Sequence, residues 1–160
     1  MSFNRVIQPF LLFILLLLAG CADSAQEDGI KAARQAMLDN IRNETPGDYF
    51  IGRRYYKKDY KFWGFVRSPG QPWGTAKLVM LNEQQKLAPD REINQIGYDN
   101  NYEYKLYGHF SGETVYEPAS NGFYPEFVLT GYEIIAISPA PIFRQAADTD
   151  PNLHVLGTPY

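Results

Sequence analysis

The chain has 160 residues, with fifteen Lys and Arg against eighteen Asp and Glu, for a formal net charge of −3. Apolar residues make up 45% and charged residues 21%, a balance that excludes collagen, a disordered acidic chain and a protein with many membrane spans. The single cysteine excludes a disulfide framework and a cysteine-built zinc site. Aromatic residues reach 15%, which favours β structure.

The amino-terminal residues have the layout of an export signal. Arg5 precedes the apolar run Phe10–Leu18, which is short for a bilayer span of roughly 20 residues but suits the apolar core of a signal peptide. The tetrad Leu18-Ala19-Gly20-Cys21 follows, and it closely resembles the lipobox of bacterial lipoproteins. Small residues before the cysteine admit a peptidase, and the thiol is the best nucleophile of the chain for a lipid donor.

This resemblance implies that residues 1–20 are a removed signal peptide and that Cys21 carries fatty acyl chains such as palmitate, which anchor the protein in a membrane. In enteric-type members of the family, an Asp directly after the cysteine retains the protein at the inner membrane. Ala22 stands there, so the resemblance implies an outer-membrane lipoprotein that faces the periplasm. The alternative is an ordinary secretory signal, or an uncut anchor, with a chance cysteine. A lipidated Cys21 leaves no free thiol for catalysis.

Residues 21–46 are predicted to form a tether and an amphipathic helix. Ser24 and Glu27 fit a capping box, and apolar residues then recur at helical spacing up to Ile41. The spacing predicts a helix over Gln26–Asn43 that ends before Pro46. Its apolar stripe is narrow, which favours packing against a sheet over docking to a partner or a membrane.

From Tyr49 onward the apolar period changes to two, which predicts β-strands. The predicted strands are Tyr49–Lys57 and Asp59–Ser68 (or one long bent strand over both), Thr75–Asn82 buried on both faces, Tyr102–Ser111, Glu113–Glu117 after a turn at Ser111-Gly112, and Pro125–Ser138 with a bulge at Gly131. The long connection between them, Glu83–Asn101, is expected to hold a short helical turn that begins at Pro89. Residues 139–160 contain four prolines and are predicted to be an extended tail on the surface.

These elements predict a mainly β protein whose domain, residues 47–138, is a small antiparallel barrel of five or six strands with an amino-terminal helix. Barrel closure hides the edges of so small a sheet. The spacing is similar to an OB-fold, and the stretch from Glu103 to Ile135 looks like the closing half of such a barrel. The part from Gly47 to Ser138 therefore resembles an OB-fold-like family of lipoproteins, which implies a binding fold without naming a ligand.

Residues for enzymatic chemistry are few. The two histidines, His109 and His154, have no partner at metal-ligand spacing, so no metal or other cofactor is expected. No nucleophile elbow, zinc-protease, P-loop or dinucleotide motif occurs. One alternative is an envelope hydrolase of glycan or peptide that uses His109 or a pair among four glutamates: Glu113, Glu117, Glu126 and Glu133. A solvated outer face explains these carboxylates more simply.

The charge pattern is more informative. Residues 53–61 hold five cations and one acid, interleaved with tyrosines, on an otherwise acidic chain. Aromatic side chains can stack on rings while cations follow an anionic polymer, so Arg53, Arg54, Lys57, Lys58 and Arg67 are candidate binding residues. Because the chain is exported, nucleic acid is not an expected partner, and an envelope protein, a glycan or another anionic polymer is. The plain alternative is an edge strand that its cations guard against aggregation.

Aromatic residues suggest a second candidate surface, a groove for a peptide or a sugar. Seven aromatic residues could line it: Trp63, Phe65, Trp73, Tyr107, Tyr116, Phe123 and Tyr124. Of these, Trp63, Trp73 and Tyr107 are candidate binding residues, and so is His109 on the polar side of its strand. Packing in the core and at the barrel ends explains most of the aromatic residues better than a groove does, and it explains Trp73, in a Pro/Gly loop, least well. The sequence thus predicts a lipid-anchored, non-catalytic binding or assembly protein of the cell envelope, with the envelope hydrolase and the basic-strand polymer binder as alternatives.

Overall fold

A computed structural model describes residues 27–160. The lipobox, Cys21 and the predicted start of the helix at Gln26 lie outside these residues. The chain divides into two units, Met1–Met37 and Leu38–Tyr160. In the first unit, the described residues belong to a helix over residues 27–42 (α1), where Lys31 lies 3.8 Å from the carboxylates of Glu27 and Asp28. Among the residues described, no helix has both the length and the apolar character that a membrane crossing requires.

The second unit is a closed barrel of five strands. The strands are β1 (Phe50–Arg54), β2 (Gly64–Arg67), β3 (Lys77–Asn82), β4 (Glu103–Glu117) and β5 (Gly122–Ala136), and they close in the order β1-β2-β3-β5-β4. A short helix, α2 (Pro89–Glu92), lies between β3 and β4, and two 3-10 turns cover Trp73–Thr75 and Ala146–Thr149. The prediction of a small β-barrel is therefore confirmed, and so is the helical turn at Pro89.

Several details differ from the predictions. The strands β1 and β2 are two short antiparallel partners, separated by residues 55–63, and not one long bent strand. The pairing of β3 with β5 is parallel, so the barrel is not purely antiparallel. Only Val79 is buried in β3, so the prediction that this strand is buried on both faces is wrong.

The predicted hairpin turn at Ser111-Gly112 is also wrong. Strand β4 runs through these residues to Glu117, and the chain reverses at residues 118–121. Ser111 and Gly112 instead lie where the register with β5 shifts, between Phe110 and Thr114. A turn signal of small residues here marks a bulge inside a long strand. A second register shift falls beside Gly131, where a bulge was predicted.

The register of β4 with β5 shifts between Tyr107 and Gly108, and Gly108 has a φ of +145°. A Cβ atom on this residue would lie 2.0 Å from the carbonyl oxygen of Val128 on β5, so the close approach of the two strands requires glycine. The interior of the barrel is filled by a buried apolar cluster: Trp63, Val66, Val79, Ala88, Tyr104, Leu106, Phe127 and Leu129.

The predicted surface tail is not loose. Residues 139–160, here called the C-terminal segment, bury Ile142 and Phe143. The ring of Phe143 packs against Tyr55 and Phe65 at centroid distances of 5.0 and 5.7 Å. The segment completes the apolar packing of the barrel, which its proline content did not reveal.

Candidate functional site

The outer side of β1 and β2 carries the basic aromatic residues that the sequence singled out. Side chains alternate along a strand, and Arg53 pairs in register with Phe65, so both lie on the outer side, whereas Gly52 and Val66 point toward the core. The C-terminal segment lies over this side. We call this outer side, together with the adjoining Trp73, the covered face. Its residues are Arg53, Tyr55, Phe65, Arg67 and Trp73.

The two arginines of the covered face are buried and paired. Arg67 makes a bidentate contact with Glu44, at 2.6 and 2.7 Å. Arg53 donates to the carboxylate of Glu103, to the Asn101 side chain at 3.1 Å and to the carbonyl of Ala140 at 3.0 Å. Burial lowers the pKa of the Arg53 guanidinium, and Glu103 opposes that effect. Neither cation is left for an outside anion.

Trp73 lies between these two arginines. The guanidinium carbons of Arg67 and Arg53 are 4.6 and 5.1 Å from the centroid of its ring. The indole is 1% exposed, and its N–H has no hydrogen-bond partner. The residue that was hardest to explain as core is therefore a structural spacer between two cations, stabilised by cation–π attraction.

The remaining cations of the basic segment lie in different places. The Lys57 ammonium donates to the carbonyl of Asp150 at 2.7 Å, and burial lowers its pKa. Lys58 is exposed, and its backbone N–H bonds to the carbonyl of Pro151 at 2.9 Å. Four of the five candidate binding cations are buried, so they do not form an exposed basic strand: Arg53, Arg54, Lys57 and Arg67.

Arg54 points to the opposite side, into the barrel. It lies 2.9 Å from Asp90 and 3.4 Å from Asp99, and it donates to the carbonyl of Trp63. The Asp99 contact is an ion pair and not a hydrogen bond, since the two facing atoms, Nε and Oδ1, lack a hydrogen-bond partner. Tyr104 donates to the other oxygen of Asp99 at 2.8 Å. Burial raises the pKa of Asp99, although Arg54 and Tyr104 act in the opposite direction.

A cleft of about 40 Å³ borders this group and is lined by Arg54, Trp63 and Asp90 among others. A volume of that size suits a single water molecule. The Arg54 cluster is therefore a structural ion-pair network that fixes the connection between β3 and β4 to the barrel.

An open groove lies at one mouth of the barrel. It has a volume of about 360 Å³, within the roughly 300–1,000 Å³ range of small-molecule sites. We call it the mouth groove, and its lining residues are Phe50, Val66, Arg67, Ser68, Gln71, Thr75, Lys77 and Phe110.

The floor of the mouth groove is aromatic. The rings of Phe50 and Phe110 meet edge to face at 5.5 Å, and each packs against the buried Phe127, at 5.2 and 5.3 Å. Below them the barrel is filled, because Phe127 and Val66 are at most 1% exposed. The groove is thus a shallow site with an aromatic floor and not the entrance to a tunnel.

The rim of the mouth groove is polar and exposed. Lys77 places its ammonium 5.0 Å from the centroid of the Phe110 ring. Within the described part of the chain, no carboxylate forms an ion pair with Lys77, which distinguishes it from Arg67 beside it. Thr75 donates its hydroxyl to the carbonyl of Pro72 at 2.8 Å, so its oxygen remains an acceptor. Ser68 and Gln71 add further exposed polar side chains.

Sequence reasoning missed this groove. Phe110 lies on the same side of the alternating stretch Tyr102–Ser111 as Tyr104 and Leu106, but the sequence does not show that Phe50, Lys77 and Phe110 form one site. The available signal was Lys77 itself, the one charged residue of the predicted strand Thr75–Asn82. Alternation alone cannot show that a strand end opens on a groove.

Among the predicted site residues, Arg67 lines the mouth groove as well as the covered face, and the others lie elsewhere. Trp63 is a core residue, 4% exposed, with Arg54 above its ring at 5.9 Å. Tyr107 donates to Glu133 at 2.7 Å, and His109 is exposed further along β4. The structure brings together Arg53, Arg67 and Trp73, but these three residues are buried against one another and do not form an open binding surface.

Three of the four carboxylates proposed for hydrolysis have other polar partners. Glu133 accepts from Tyr107, and Glu126 accepts from Asn82 at 3.2 Å. Burial tends to raise the pKa of Glu117, but donors from Ser120, Ala119 and Lys61 outweigh it, and the pKa is lowered. Over residues 27–160, no cluster of three or more His, Cys, Asp or Glu side chains could hold a metal ion.

Comparisons with known protein families, with curated proteins and with solved structures give no match to this chain. The case for function therefore depends on the lipobox resemblance and on the geometry of the barrel.

Proposed function

We propose that this chain is a lipid-anchored cell-envelope protein whose OB-like barrel acts as a non-catalytic binding module. The strand order β1-β2-β3-β5-β4, with β3 parallel to β5, supports the OB-like assignment. The tetrad ending at Cys21 supports an acyl anchor, and Ala22 supports the outer membrane. The binding site is the mouth groove.

One observation carries the choice of site. Lys77 is an exposed cation above an aromatic floor, and no described carboxylate pairs with it. Mouths of β-barrels are frequent positions for small-molecule sites. The covered face has more cations, but they already have partners.

The anchor is tested by metabolic labelling with a palmitate analogue in cells that express the wild type or Cys21→Ala. The proposal expects labelling and membrane association of the wild type only. Ser24→Ala, a change within the predicted tether that leaves the thiol in place, is the matched control and should be labelled like the wild type. Equal labelling of Cys21→Ala would refute the anchor.

The site is tested with the lipidated chain in nanodiscs and a library of small sugars, acids and amphiphiles, with ligand-observed NMR as the readout. Binding compounds should compete with one another and should lose signal in Phe110→Leu. Phe123→Leu, which changes a 70%-exposed ring at the far end of β5, is the control and should leave binding unchanged. Ligands that bind equally well to both variants would show that the mouth groove is not the site.

A further inference from the structure

We propose that the ligand of the mouth groove is an acidic sugar unit, the carboxylate-bearing residue of an anionic glycan. This inference rests on the proposed function, because it names the ligand class of the same groove. The carboxylate lies at Lys77, the C–H face of the ring lies on Phe50 and Phe110, and the hydroxyl groups meet the polar rim.

The charge preference comes from Lys77. The neighbouring cation, Arg67, is neutralised by the bidentate contact with Glu44, which leaves Lys77 to set the sign of the site. An ammonium on an exposed rim attracts an anion weakly, so we expect selectivity for the carboxylate of only a few fold, which salt reduces.

The shape preference comes from the floor. Phe50 and Phe110 both line the groove and pack edge to face against each other, with an interplanar angle of 85°. Neither ring has a hydrogen-bonding group, so the floor needs a ligand with an apolar surface. A sugar ring has C–H groups on one side for this contact.

The polar rim favours a sugar over a fatty acid. Ser68, Gln71 and Thr75 offer hydroxyl and amide groups around the floor, which match the hydroxyl groups of a sugar. A fatty acid would satisfy Lys77 and the floor but would leave the rim unused. A long acyl chain would also find no tunnel, since Phe127 and Val66 fill the barrel below.

The test is a titration of the full lipidated chain, in nanodiscs, with glucuronate, glucose and octanoate as probes. We expect millimolar binding of glucuronate, binding of glucose weaker by about three- to five-fold, and weaker binding of octanoate, in line with one exposed charge contact. Lys77→Gln should lower the affinity for glucuronate by about three- to five-fold and leave that for glucose unchanged.

Lys58→Gln is the matched control, because it removes an exposed lysine outside the groove and should change neither affinity. Octanoate that binds more tightly than glucuronate, or glucuronate binding that Lys77→Gln does not weaken, would overturn the sugar assignment and leave the groove as a site. If no compound, charged or neutral, binds in a way that depends on Phe110, the proposed function fails as well.

Discussion

The covered face and the mouth groove are built from the same kinds of residue and differ in whether their charges are paired. On the covered face, Arg53 and Arg67 flank Trp73, and Glu103 and Glu44 neutralise them. At the mouth groove, Lys77 lies over Phe110 with no described carboxylate as partner. The run of cations in the sequence therefore corresponds to a buried region inside the protein. The open groove, by contrast, has a single exposed lysine without a carboxylate partner among the described residues.

The C-terminal segment causes much of this difference. Its backbone supplies carbonyl acceptors to Arg53 and Lys57, and its Phe143 covers Tyr55 and Phe65. Buried charges need such partners because an unpaired one is costly. We infer that disturbing the covered face affects stability, and that disturbing the mouth groove affects binding.

The largest effect is expected from deletion of residues 139–160. The deletion exposes the surface that Ile142 and Phe143 bury, each worth about 1.5–3 kcal/mol, and removes acceptors from two buried cations. We expect the free energy of unfolding in urea to fall by about 5 kcal/mol or more, or cooperative unfolding to be lost. A truncated chain with an unchanged unfolding midpoint would mean that the segment is a dispensable cover.

The point substitution Phe143→Ala tests the same packing without shortening the chain. Loss of a buried phenylalanine should lower the free energy of unfolding by about 3–5 kcal/mol. Leu153→Ala, in the same segment but 41% exposed, is the control and should cost less than about 1 kcal/mol. Similar losses in both variants would show that Phe143 has no special part in the cover.

An intermediate effect is expected from Glu44→Gln. The change removes the carboxylate that pairs with the guanidinium of Arg67, and Arg67 is only 3% exposed. Since Glu44 itself is partly exposed, water can enter, and we expect a loss of about 2 kcal/mol in the free energy of unfolding. Glu113→Gln, at an exposed carboxylate of β4, should change it by less than about 0.5 kcal/mol. Equal effects would place Arg67 among the weak surface pairs.

A smaller, pH-dependent effect is expected from Asp99→Asn. The pKa of Asp99 is raised in the folded state, so the folded protein holds this proton more tightly than the unfolded chain does. The stabilising contribution is present below the unfolded pKa of about 3.9 and is lost as the pH rises through the higher folded value.

The variant should therefore lose less stability than the wild type between acid and neutral pH. The measurement is the free energy of unfolding of both proteins at several pH values. Parallel curves for the two proteins would show that Asp99 does not titrate differently in the folded state.

The smallest effect on stability is expected from Lys77→Gln. An exposed lysine over an aromatic ring contributes little, so the free energy of unfolding should change by less than about 0.5 kcal/mol. Thermal unfolding checks this value on the samples used for binding. If the loss equals that of Glu44→Gln, the mouth groove is a structural contact and the contrast with the covered face disappears.

Much of the fold was predictable because its signals are local. Alternation in Tyr102–Ser111 placed Tyr104, Leu106 and Phe110 on one side of a strand, and the structure has them in or against the core. Pro89 predicted the start of α2. Turn chemistry was less reliable, since Ser111-Gly112 looks the same in a hairpin turn as in a bulge.

The candidate site was not predictable in the same way. Phe50, Lys77 and Phe110 come from three strands, and nothing in their local sequence says that they share one groove. The sequence shows the cluster of cations, but it does not show the distant residues that pair with them. Lys57 meets Asp150 across 93 residues, Arg53 meets Glu103 across 50, and Arg67 meets Glu44 across 23.

The sequence by itself determined the β class, the closed barrel and the lipobox resemblance, because hydrophobic period and short motifs are written in neighbouring residues. Only the tertiary structure decided which cations are neutralised, which aromatic residues are buried and where an open groove remains. Charge pairing and burial depend on distances in space. Closure of the barrel brings residues into contact that lie far apart along the chain, and the local sequence does not reveal these contacts.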